Sequence, residues 1–127
     1  MGIEFEKQIS YWIGSATEDF EVAKILIEKK RYLHGLFFCH LVVEKSLKAI
    51  VVKITQEFAP KSHNLIYLAE KSKIELSEKQ LEFFGILMKY QLEGRYPGYS
   101  PRIPLKKEIE NYLLKIKESL EWLKLKL

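Results

Sequence analysis

Three polar side chains interrupt an otherwise apolar stretch of this chain: His40, Glu44 and Lys48, each four residues from the next. On a helix that spacing lines them along one narrow ribbon, with Lys45 beside it. A carboxylate and an ammonium on a mostly buried helix are costly unless they pair or meet a cleft. Glu44 ahead of Lys48 is the favourable order for an i, i+4 ion pair, so a closed structural pair is one reading. The other is that the ribbon borders a polar pocket between helices or a subunit seam.

Two further segments carry candidate groups. In Ser62-His63-Asn64-Leu65 a loop becomes a helix. Ser62 or Asn64 can cap that helix, leaving His63 exposed or placed as a polar contact at a pocket rim. In Gly94-Arg95-Tyr96-Pro97-Gly98-Tyr99 an arginine stands beside two tyrosines in a proline-held loop. Such an arginine can contact a phosphate or a base, or bind an ordinary carboxylate.

Several chemistries find no support. The chain has no Gly-rich phosphate loop, no dinucleotide fingerprint and no serine elbow. His34 and His40 are six residues apart, which is not zinc spacing on a helix. Cys39 is the only cysteine, so neither a disulfide framework nor a cysteine metal cluster is available. No cofactor and no metal is expected, and nothing in these residues alone specifies an enzyme.

The elements that must position these groups read as helices. Trp12, Ala16, Phe20, Ala23 and Ile27 recur at spacings of three and four, which predicts a first helix over roughly residues 6–29. A second, roughly 32–54, is apolar almost all round and should be the central, buried element. After a loop with Pro60 comes a short helix from about Asn64 to Lys71. Ser77-Glu78-Lys79-Gln80 is a capping box opening a helix with Leu81, Phe84, Leu87 and Met88 inward, ending near Leu92. Residues 95–104 read as an ordered loop. The last helix starts with Pro104 in its first turn and runs to about Lys126. Its expected packing seam is Leu105, Ile109, Leu113, Ile116, Leu120, Leu123 and Leu127. The expected architecture is all-α, an up-and-down four-helix bundle with one additional short helix.

Composition agrees. At 127 residues the chain fits a single domain, residues 1–127, and its 47% hydrophobic and 30% charged residues describe a packed protein. The net charge of +4 lies wholly in residues 61–127, with thirteen basic and nine acidic side chains against eight of each before it. That tilts the molecule mildly toward anionic partners. No stretch approaches the length of a membrane span and no signal-peptide layout is present, so a cytoplasmic location is expected.

Several pieces, in order, resemble the HEPN family (higher eukaryote and prokaryote nucleotide-binding domain). They are residues 15–23 (SATEDFEVA), Lys30-Arg31-Tyr32, residues 37–49 (FFCHLVVEKSLKA), His63-Asn64-Leu65 and Arg95-Tyr96-Pro97. The resemblance implies a helical bundle, commonly a homodimer, often encoded beside a small nucleotidyltransferase as a two-component or toxin–antitoxin pair. Many members are metal-independent ribonucleases that use an Arg followed four to six residues later by His. That signature is absent here: after Arg95 the corresponding residues are Tyr99, Ser100 and Pro101.

The leading expectation is therefore a binding module for a nucleotide or nucleotide-like anion. Its pocket would be lined by Glu44, Lys48, His63, Arg95, Tyr96 and Asp19, and a nucleotidyltransferase would be its partner. One alternative is a divergent ribonuclease in which His63 and Arg95 converge on RNA, within one chain or across a dimer. Another is a non-catalytic protein-interaction module with closed ion pairs.

Overall fold

A computed structural model describes residues 3–91, 98 and 101–127. Among them the chain forms five helices and no strand: α1 (Ile3–Glu28), α2 (Tyr32–Thr55), α3 (Leu65–Lys71), α4 (Glu78–Met88) and α5 (Lys106–Lys124). All four other helices pack on α2. Its near-continuous apolar sequence requires this, because a helix apolar on every side must be covered on every side. Leu36, Cys39, Val42, Val43, Leu47, Ile50 and Val51 belong to one core with Ala16, Phe20 and Ala23 of α1 and Ile109, Ile116 and Leu123 of α5.

The helix ends are set by local chemistry. α1 stops where Lys30 takes a left-handed φ of 62°, and the Arg31 amide reaches back to the Leu26 carbonyl at 2.8 Å. This is the Schellman closure built without glycine. The Asn64 side chain accepts the Tyr67 amide and caps α3, and Ser77 and Gln80 close the expected capping box on α4. Lys53 Nζ donates to the carbonyls of Lys126 and Leu127 at 2.9 and 3.2 Å, tying the end of α2 to the end of the chain beyond α5.

Three expectations need correction in detail. The last helix begins at Lys106 rather than Pro104 and ends at Lys124. Its seam runs through Ile109, Tyr112, Ile116, Leu120 and Leu123, whereas Leu105, ahead of the first turn, is 71% exposed. On α4, Phe83 is buried and Leu81 is 42% exposed. The cause is the Phe83 ring, which turns toward Tyr112 of α5, 5.8 Å between centroids. Cys39 is fully buried, and desolvation pushes its thiol up to about 12, so it stays protonated and inert.

Candidate functional site

The polar ribbon on α2 is real and it is buried: His40 is 0%, Glu44 3% and Lys48 5% exposed. Lys48 Nζ donates to Glu44 Oε2 at 3.1 Å, so the i, i+4 pair forms. The other carboxylate oxygen is engaged as well. His63, in the loop before α3, places Nδ1 2.9 Å from Glu44 Oε1 while its side chain remains 47% exposed. An ionised carboxylate only accepts, so His63 Nδ1 carries the hydrogen.

His40 holds the same loop from beneath. Its Nε2 donates to the His63 carbonyl at 3.0 Å. In the neutral ring that leaves Nδ1 as a bare acceptor, buried, 3.6 Å from Glu44 Oε1 and without a hydrogen bond among the described residues. Burial lowers the pKa of His40, and the facing Glu44 carboxylate and the bond to the His63 carbonyl only partly oppose that. The ring is therefore neutral where a surface histidine would begin to charge.

A second polar group continues the cluster into α1. Asp19 Oδ2 lies 2.7 Å from Lys45 Nζ, but no hydrogen is well directed at it, so the contact is an ion pair rather than a hydrogen bond. Lys45 Nζ donates instead to Ser15 Oγ at 2.8 Å. Lys48 Nζ sits 5.1 Å from the centre of the Trp12 ring. The Trp12 indole N–H is buried and meets no acceptor among the described residues. Trp12, Ser15 and Asp19 thus form the α1 side of a polar seam whose α2 side is Glu44, Lys45 and Lys48.

Of the residues singled out in the sequence, the structure brings Glu44, Lys48 and His63 together, while Asp19 pairs with Lys45, the residue next to Glu44 on α2. Arg95 and Tyr96 lie outside the described residues. Trp12 and Ser15 escaped the sequence reading. Trp12 counts as an ordinary member of an apolar stripe until its indole N–H is followed, and the residue beside it on that face, Ser15, gave no separate signal.

Among the described residues the protein is a set of helices packed round one central helix, and the family comparison names its class. The HEPN domain model matches residues 9–126, and the chain belongs to the HEPN family. The fold is similar to that in the crystal structure of TT1696 from Thermus thermophilus, with a TM-score of 0.76 and 20% sequence identity. That similarity covers 94% of this chain and 98% of the other. No curated protein sequence matches the chain significantly.

Proposed function

We propose that this HEPN protein binds a nucleotide or a nucleotide-like phosphate anion at the Glu44–Lys48–His63 cluster, with Arg95, Tyr96 and Asp19 completing the site. The observation that carries the reading is the half-exposed His63 ring standing on a buried carboxylate that a buried lysine already neutralises. Stability does not account for such a group: apolar residues of similar volume usually serve a core as well or better. The charge balance suits an anion. Glu44 and Lys48 cancel, the His63 ring offers a hydrogen-bonding nitrogen, and the Arg95 guanidinium adds a fixed cation. The orphan indole N–H of Trp12 beside Lys48 is a further donor for a ligand oxygen.

In this reading residues 1–127 act as one cytoplasmic module, an up-and-down bundle of the four long helices that pairs as a homodimer. A nucleotidyltransferase is its partner, as the gene-neighbour habit of the HEPN family supports. HEPN domains commonly dimerise. Calorimetric titration with ATP tests the site. Saturable binding that Arg95→Ala and His63→Ala both weaken supports it, and binding indifferent to both substitutions removes it.

One observation favours a second reading, a divergent ribonuclease. A carboxylate bound to Nδ1 of a half-exposed imidazole is the arrangement that orients a histidine for proton transfer. Arg95 would then stabilise the charge on the phosphorane. Cleavage of a structured RNA by the wild type, lost in His63→Ala, would place this reading first.

A further inference from the structure

Between α4 and α5 runs a groove of about 630 Å³ that shares no residue with the Glu44 cluster. Buried Phe83 and half-buried Ile86 and Trp122 form its apolar floor. Exposed Lys79 and Glu82 stand along one wall, and exposed Lys115 and Glu118 along the other. Each wall is a single helical face, with lining residues three, four and seven apart. The backbones of α4 and α5 make no close approach to each other. Side chains bridge the gap instead, Phe83 against Tyr112 and Lys115 Nζ 5.4 Å from the Phe83 ring.

The chemistry of the rim selects the occupant. Two ammoniums and two carboxylates cancel, so a nucleic acid or an anionic lipid surface gains no net attraction here. Each wall instead offers a lysine followed three residues on by a glutamate. That pattern complements a segment bearing both signs of charge on either side of an apolar stripe. A trough between two helices, floored by an indole and a phenyl ring, is the shape into which an amphipathic helix lays its i, i+3, i+7 anchors. A second copy meeting groove to groove cannot fill it, because a two-fold interface brings the same concavity to itself.

We propose that the α4–α5 groove docks an amphipathic helix of a partner polypeptide, with its apolar stripe on Phe83, Ile86 and Trp122 and a carboxylate on each flank, one against Lys79 and the other against Lys115.

The probe is a labelled alanine-based helical peptide with leucines at i, i+3, i+4 and i+7, glutamates placed for the groove lysines and lysines placed for its glutamates. Fluorescence anisotropy with the full chain should show saturable binding, and a peptide of the same composition in shuffled order should show none. Ile86→Glu should weaken binding at least about tenfold, the scale of a central anchor. The exposed pair Lys79→Glu/Lys115→Glu should weaken it too, and a peptide with the facing glutamates changed to lysine should restore it. If Ile86→Glu fails to fold by circular dichroism, the rim pair alone decides, because its side chains are outside the core. No saturable binding, or binding that neither the rim pair nor the shuffled order changes, overturns the proposal. So does dissociation of a dimer of this chain by the rim pair in sedimentation, or binding of poly(A) that the rim pair abolishes.

Discussion

Glu44 and His63 lie 19 residues apart in the chain, yet Nδ1 of the half-exposed imidazole sits 2.9 Å from Oε1 of the buried carboxylate. The same loop is held a second time, by His40 Nε2 on the His63 carbonyl. Two residues one turn apart on α2 therefore fix both the backbone and the ring of His63. The ring is presented to solvent by the most buried helix of the protein, which gives a surface histidine the positional definition of a core residue.

Removing the carboxylate should be far worse than removing the whole ion pair. Glu44→Gln leaves Lys48, only 5% exposed, without its countercharge. The expected loss is about 3–5 kcal/mol in urea unfolding, the usual effect of breaking one partner out of a buried pair. The double substitution Glu44→Leu/Lys48→Met should come back to within about 1 kcal/mol of the wild type, since apolar replacement of both partners is often neutral. ATP binding should be lost in both variants. A double variant as unstable as Glu44→Gln would show that packing, not charge, holds this turn of α2.

His63→Ala should separate function from folding. The side chain is 47% exposed, so its loss should cost about 1–2 kcal/mol, less than Glu44→Gln, even with the bond to Glu44 gone. Nucleotide binding should fall at least about tenfold, the effect of one lost charge-assisted contact. Asn64→Ala tests the same point from the backbone. It removes the cap on the Tyr67 amide, should cost about 1 kcal/mol, and should weaken binding less than His63→Ala.

How far these residues could be read from the sequence depended on distance along the chain. The ribbon of His40, Glu44 and Lys48 was legible because helical spacing is local and an apolar background makes polar residues conspicuous. The Glu44–Lys48 pair followed from the same spacing. The bond between Glu44 and His63, and the pair of Asp19 with Lys45, join different elements, and no local periodicity encodes them. His63 stood out only as a polar residue where a loop becomes a helix, and Asp19 only through family resemblance. On α4 the expected Phe84 and Leu87 are buried, but Leu81 and Phe83, about 200° apart around the helix, are both apolar and local spacing does not say which packs inward. Only Tyr112, on another helix, decides between them. The groove over Phe83 was invisible for the same reason.

Acid should destabilise this protein partly through His40. The folded-state pKa of His40 is held below its ordinary 6.5 by burial, with Glu44 opposing and His63 and Lys48 also in range. As pH falls through 6.5 the unfolded chain takes up the proton and the native ring does not. Stability therefore declines from that point and levels off once the folded pKa is passed. Glu108 acts lower. Its pKa is depressed by the Arg102 hydrogen bond, so its contribution is present above 4.5 and is lost only below that value. The two windows are distinct. In His40→Gln the urea midpoint should fall less steeply than in the wild type between about pH 7 and pH 5, the range in which histidines titrate. Equal slopes would mean that another group carries the acid sensitivity.

Gly35 sets the spacing of α1 and α2 where α2 begins. A Cβ at this position would come within 2.6 Å of Ile27 Cγ1 on α1, and 3.4 Å from the Ile27 amide nitrogen. Its φ is not in the left-handed region, so space rather than backbone conformation requires the glycine. Gly35→Ala is then a pure overpacking test. It should cost about 1–3 kcal/mol although alanine favours the helix, because the side-chain clash outweighs a propensity gain of about 1 kcal/mol. Trimming the neighbour should return most of that loss. Ile27→Ala alone opens a gap, while Ile27→Ala with Gly35→Ala fills part of it, so the double variant should be more stable than the two single effects summed. Additive single effects in urea unfolding would show that α1 and α2 shift apart freely. That freedom would also contradict the fixed seam in which Trp12, Ser15 and Asp19 meet Lys45 and Lys48.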